Sequence, residues 1–206
     1  MTQRTTGLVA ILRGVTPDDA AAVAGAALGA GLDAVEVPLN SPDPFESVRR
    51  VRAAAGPGAR VGAGTVLTPD DVRRAADAGA SLVVSPNTRP DVVAEAVRLG
   101  LESYPGAATP TEAFAALDAG ATAVKIFPAT TVGISGMRAW ASVLPAGARL
   151  VPVGGVDEST LGQWARAGAD GAGIGTSLYR PGDAAAEVGA RAAALARIWA
   201  DHVTRS

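Results

Sequence analysis

The sequence is organised by a repeat. A short, continuously apolar run is followed by a longer segment with Ala, Leu and Val at helical spacing, and the pair recurs about every 25 residues. That is close to the minimum for one strand, one helix and two short loops. The runs are LVAILRG (8–14), AVEVPL (34–39), RVGAGTV (60–66), SLVVSP (81–86), LESYPG (101–106), AVKIFP (123–128), RLVPVGG (149–155) and GAGIGTS (171–177), eight in all. Seven helix-like segments lie between them, and an eighth spans 184–203. Runs that stay apolar instead of alternating are expected of parallel strands covered on both faces.

The punctuation agrees with the repeat. Thr16-Pro17-Asp18-Asp19, Thr68-Pro69-Asp70-Asp71 and Thr109-Pro110-Thr111-Glu112 each read as a helix start. Thr caps, Pro occupies the first helical position, and acidic groups face the positive end of the helix dipole. The third also reads as a capping box. Glycines at 31, 79, 100, 120 and 168 close helix-like segments a few residues before the next run. Eight such βα units in 206 residues predict an α/β fold, a single compact (β/α)8 TIM barrel, with residues 1–206 forming one domain. A doubly wound open sheet is the alternative. Its dinucleotide fingerprint is missing, because Leu67 follows Gly62 and Gly64, and Leu178 follows Gly173 and Gly175, where a third Gly should stand.

Composition narrows the chemistry. There is no cysteine and one histidine, His202, which excludes thiol nucleophiles and thiolate metal sites and disfavours a multi-His metal centre or a Ser-His-Asp triad. The net charge of −2, without a basic run, argues against nucleic-acid or anionic-membrane partners. No run of about 20 uncharged apolar residues occurs, and the stretch MTQRTTGLVAILRG lacks the pattern of a signal peptide. A soluble, cytoplasmic protein is expected. Apolar residues make up 48% of the chain but aromatics only 4%, so small side chains must pack the helices closely onto the sheet. Trp140, Trp164 and Trp199 lie on helix-like segments and read as packing anchors, and His202 as a surface residue without a role.

In a barrel the site lies at the carboxyl ends of the strands. Polar residues within or just after the runs are therefore the candidates: Arg13, Glu36, Asn40, Thr65, Ser85, Asn87, Tyr104, Lys125, Gly154-Gly155 and Gly175-Thr176-Ser177. Of the 18 basic residues only Lys125 is lysine, and it sits inside the apolar AVKIFP. A buried, unpaired amine loses its proton readily and can attack carbonyls, chemistry arginine cannot perform. Pairing with a carboxylate or a snorkelling head group would account for it structurally. Glu36, in AVEVPL, is equally enclosed, and a desolvated carboxyl exchanges protons near neutrality. A structural Glu–Lys pair is the plain alternative. Arg13 offers a fork for a carboxylate or phosphate, or a bridge to an acidic loop. Thr65 offers a hydroxyl at a glycine-lined strand end, or simply a tight end. Gly154-Gly155 and Gly175-Thr176-Ser177 follow the seventh and eighth runs, where barrels often bind phosphate.

Together AILRGVTPDDA, DAVEVPLNSP, VGAGTVL, VVSPNT, YPGAATPTEAF, AVKIFP, VPVGGV and GAGIGTSLYRPG resemble the class I 2-keto-3-deoxy-6-phosphosugar-acid aldolases over almost the whole chain. The resemblance implies a Schiff-base role for Lys125, proton transfer by Glu36, contact of Thr65 with the pyruvyl carboxylate, and a phosphate end at Gly155 and Thr176, beside Gly154 and Gly175 of the same glycine-rich ends. It further implies cleavage of a phosphorylated keto-deoxy sugar acid to pyruvate and glyceraldehyde 3-phosphate, with no cofactor or metal, in a homotrimer. Serine is the family's usual residue where Thr176 stands. The 6-phosphogluconate branch carries an arginine four residues after the catalytic glutamate; Asn40 stands there, and Arg13 ends the first run in the manner of the 6-phosphogalactonate branch. The galactonate reading is therefore preferred to a gluconate or dual-epimer enzyme. A phosphate-binding barrel isomerase or epimerase, and a non-catalytic sugar-phosphate-binding barrel, are the rivals of other classes.

Overall fold

The computed structural model describes residues 6–203; the start of the N-terminal stretch read above for an export signal lies outside the described residues. Each of the eight predicted runs contains a strand. These are β1 (Gly7–Ile11), β2 (Ala34–Pro38), β3 (Arg60–Gly64), β4 (Leu82–Val84), β5 (Glu102–Tyr104) with β6 (Gly106–Ala107), β7 (Val124–Ile126), β8 (Leu150–Pro152) and β9 (Gly171–Ile174). The fifth run divides at Pro105, which has no N–H to give a ladder. The helices are α1 (Pro17–Gly29), α2 (Pro44–Ala54), α3 (Pro69–Asp77), α4 (Pro90–Arg98), α5 (Pro110–Asp118), α6 (Ala129–Ala141), α7 (Leu161–Arg166) and α8 (Ala185–His202).

The three threonine caps form as expected. The side chains of Thr16, Thr68 and Thr109 accept from the backbone N–H of Asp19, Asp71 and Glu112. Asp71 completes a second capping box, which the aspartate at that position had not been credited with. The helix-ending glycines 31, 79, 100, 120 and 168 all adopt positive φ, the conformation that lets the chain reverse at once into the next strand. One helix departs from the pattern: α6 breaks at Gly133 (φ 70°, ψ 169°), leaving a first turn over the strand ends and a longer second piece.

Strand pairing is parallel throughout. One sheet runs β5-β4-β3-β2-β1-β9 and the other β6-β7-β8. Two links join them. Across Pro105 the chain itself continues, with the amides of Lys125 and Phe127 bonding to the carbonyls of Pro105 and Ala107 at 2.9 and 3.0 Å. On the far side an isolated bridge pairs Val153 with Gly173, and the Asp170 amide bonds to the Leu150 carbonyl at 3.0 Å. The ladder is thus a six-stranded and a three-stranded arc, not the uninterrupted eight-stranded ring expected.

Two hydrophobic clusters follow from this arrangement. The larger lies between strands and helices and includes the buried Trp140, Trp164 and Trp199, which are packing anchors as expected. The smaller lies on the concave side of the sheets and contains Val9, Ile11, Leu82, Val84, Tyr104, Val151 and Val153. His202 is half-buried, not a plain surface residue: its Nδ1 lies 2.8 Å from the Ile198 carbonyl, and its ring is adjacent to Gly162 of α7. Among the described residues, no helix is long and apolar enough to cross a membrane.

Candidate active site

Strand alternation sends Glu36 and Lys125 to the concave side, where they line one small apolar chamber with Val9, Tyr104, Val151 and Val153. Glu36 is 2% exposed and Lys125 7%. Glu36 fits because its neighbour in β3 has no side chain: a Cβ on Gly64 would stand 1.8 Å from Glu36 Oε2. That Oε2 atom is buried and has no hydrogen-bond partner, which is costly for a carboxylate. Burial pushes the Glu36 carboxyl up to about 7, although the charges of Lys125 and Arg13 act in the opposite direction. Burial likewise lowers Lys125 from its ordinary range; Glu36 opposes the shift and Arg13 assists it. The Lys125 Nζ lies 4.5 Å from the centre of the Phe127 ring. The chamber therefore holds an amine biased toward its neutral form beside a carboxyl that titrates near neutrality.

A second cavity of about 400 Å³ opens above the chamber, sharing Ile11, Val153 and Gly173 with it. Arg13, Gly154, Gly155, Gly175, Thr176 and Ser177 all line this outer cavity, so five predicted site residues and the predicted serine meet in one place. Gly154 (φ 96°) and Gly155 (φ 74°) need the glycine conformation, and a Cβ on Gly155 would strike Thr130 of α6 at 2.4 Å. Thr176 is exposed to the cavity, whereas the Ser177 hydroxyl is committed to the Val156 carbonyl at 2.8 Å. Arg13 Nη1 donates to Asn40 Oδ1, so the residue that replaces the expected arginine on the second strand holds the arginine supplied by the first.

Thr65 lines neither cavity. It is half-buried at the end of β3 with φ 56°, a strained conformation for a β-branched residue. Of the other candidates, Ser85 is buried and its amide bonds to the Tyr104 carbonyl, while Asn87 is exposed outside both cavities. The sequence reading passed over Phe127, Tyr179 and Arg180, which also line the outer cavity. The last two reach it because the Tyr179 amide bonds to the Gly175 carbonyl at 3.0 Å and turns the chain there, which the sequence pattern does not announce. Among the described residues, no group of three His, Cys, Asp or Glu side chains is placed to hold a metal ion.

Comparison with known proteins gives consistent matches. The family model "Aldolase: KDPG and KHG aldolase" matches residues 2–188. The "2-dehydro-3-deoxy-6-phosphogalactonate aldolase" of Escherichia coli (strain K12) is 46% identical over 196 residues, covering 95% of this chain and 96% of that protein. The "Probable 2-dehydro-3-deoxy-6-phosphogalactonate aldolase" of Rhizobium meliloti (strain 1021) is 47% identical over 187 residues, covering 91% and 88%. A solved structure described as "Native KDPGal structure" superposes with a TM-score of 0.93 at 45% identity, covering 97% of each chain.

Proposed function

The chain belongs to the KDPG and KHG aldolase family, and from that premise we propose that it is a class I aldolase acting on 2-dehydro-3-deoxy-6-phospho-D-galactonate. The observation that carries the reading is the meeting, in one apolar chamber, of a buried lysine with a buried carboxyl whose Oε2 lacks a hydrogen-bond partner. The neutral Lys125 amine adds to the C2 ketone, and loss of water, assisted by Glu36, gives an iminium. Glu36 as carboxylate takes the C4 hydroxyl proton. The C3–C4 bond breaks, its electron pair passing into the iminium, so that C4 leaves as the aldehyde of glyceraldehyde 3-phosphate and an enamine stays on Lys125. Glu36 returns the proton to C3, and water hydrolyses the imine to release pyruvate and the free amine. One carboxyl serves successive steps because its pKa of about 7 makes both of its protonation states accessible near neutrality.

In this reading the phosphate occupies the outer cavity, received by the backbone at Gly154, Gly155 and Gly175 and the hydroxyl of Thr176, with Arg180 adding positive charge. Arg13, held by Asn40, meets the polar part of the substrate. The preference for the galactonate epimer rests on that Arg13–Asn40 arrangement and on the identity to the two galactonate-branch relatives; kcat/KM for the two C4 epimers measures it. We read the two sheet arcs as one (β/α)8 barrel domain, and the protein as a cytoplasmic homotrimer, which analytical ultracentrifugation tests.

The chemical test is direct, because an imine can form on only one lysine side chain. After incubation with pyruvate and reduction by borohydride, peptide mass mapping is expected to find the adduct on Lys125, and Lys125→Ala to lose both adduct and activity. An active Lys125→Ala enzyme would sink the Schiff-base mechanism.

A further inference from the structure

Tyr104 belongs neither to the acid–base pair nor to the glycine-rich ends, yet it connects the chamber to the opposite end of the sheets. It is 2% exposed, and its ring lines the chamber that holds Glu36 and Lys125. Its hydroxyl donates to Glu102 Oε2 at 2.6 Å and accepts from Arg60 Nη2. Arg60 and Glu102 are the first residues of β3 and β5, so they mark the amino-terminal end of the strands, away from the outer cavity. All three nitrogens of the Arg60 guanidinium are engaged there: Nε reaches Glu102 Oε1 at 3.1 Å, Nη2 reaches Oε2 at 2.5 Å, and Nη1 reaches the Thr6 carbonyl at 2.8 Å. The Glu102 side chain is 36% exposed, so this cluster meets solvent on its outer side. The tyrosine thus spans from a partly exposed, ion-paired rim to a buried, apolar interior.

We propose that Tyr104 is a positioning residue of the active site: clamped at its hydroxyl by Arg60 and Glu102, its ring forms the floor beneath Lys125 and Glu36 and keeps water from reaching them through the amino-terminal end of the fold. The inference rests on the reading of Lys125 as the imine-forming amine. The physical need is specific. Glu36 Oε2 has no partner, so any water admitted from below would solvate it first. A hydrated chamber would also favour the ammonium form of Lys125, which cannot attack a ketone. The charged groups facing Lys125 are Glu36 from β2 and Arg13 after β1, while β4, β8 with the residue after it, and β9 present only Val84, Val151, Val153 and Gly173. Those facing Tyr104 are Arg60, Glu102 and Arg149. Burial and the Glu102 hydrogen bond push the Tyr104 hydroxyl above its ordinary value, so it remains a donor throughout the working range.

The test compares the pH dependence of pyruvate adduct formation on Lys125, trapped with cyanoborohydride, in wild type, Tyr104→Phe and Tyr104→Leu. Removing the ring is expected to move the midpoint to higher pH, with about tenfold less adduct at mildly acidic pH where wild type still reacts. Removing only the hydroxyl is expected to give a smaller shift in the same direction. A Tyr104→Leu protein with native circular dichroism and an unmoved midpoint overturns the floor. If that variant does not fold, Tyr104→Phe decides: an unmoved midpoint there overturns the clamp. Absence of any adduct in wild type would instead overturn the Schiff-base reading itself, so the two failures are distinguishable.

Discussion

Glu36 shows at the scale of one residue how a site is maintained against stability. Its carboxyl is raised by burial from the ordinary 4.5 to about 7. Between those values the folded protein holds a proton that the unfolded chain has released, so stability falls as pH rises through the window. Above it, the buried charge costs on the order of 3 kcal/mol relative to an exposed glutamate. Glu36→Gln is therefore expected to melt higher than wild type at about pH 8, with the gap narrowing toward about pH 4. The same variant should turn over about two to four orders of magnitude more slowly. Calorimetry across pH with parallel kinetics checks both, and near-wild-type rates would remove Glu36 from the mechanism. The suspicion attached to Glu36 and Lys125 was legible from their apolar neighbours alone. That Gly64 vacates the space for the Glu36 carboxylate was not, because the contact crosses from one strand to another.

At the scale of elements, local chemistry carries much of the design. The Thr109 side chain accepts from the Glu112 amide, and Glu112 Oε2 accepts in return from the amides of Ala108 and Thr109 at 2.8 and 2.9 Å. Thr109→Ala removes one side of this exchange and should cost about 1 kcal/mol in urea unfolding with kcat unchanged. A loss of activity without a loss of stability would mean that α5 serves the site in some other way. Such caps and the glycines that end the helices were readable because each depends on residues within one turn. The break in α6 at Gly133 and the division of the fifth strand at Pro105 were missed. Apolar spacing continues through Gly133, and LESYPG reads as one run, so periodicity gives no notice of either interruption.

At the scale of the whole molecule the two sheet arcs meet unequally. β1 sits between β2 and β9 with ladders on both sides, whereas β8 and β9 are joined by the isolated Val153–Gly173 bridge beside the site and, at their other end, by the bonds between Leu150 and Asp170. Hydrogen exchange is expected to be slowest in β1, β2 and β3 and to open at lower free energy along the β8–β9 seam. Uniform protection around all strands would contradict this. The amino-acid sequence by itself determined the order and type of the elements, their parallel direction, the helix starts and stops, and the presence of one amine and one carboxyl in apolar surroundings. These follow from periodicity, capping and composition, which act over a dozen residues or fewer. Only the tertiary structure decided that Glu36, Lys125 and Tyr104 share one chamber, that Asn40 holds Arg13, that Arg180 returns to the outer cavity, and that Thr65 stays outside both. Those relations depend on which strands become neighbours and how far each side chain reaches across the sheet. That is a matter of long-range packing, on which local sequence pattern is silent.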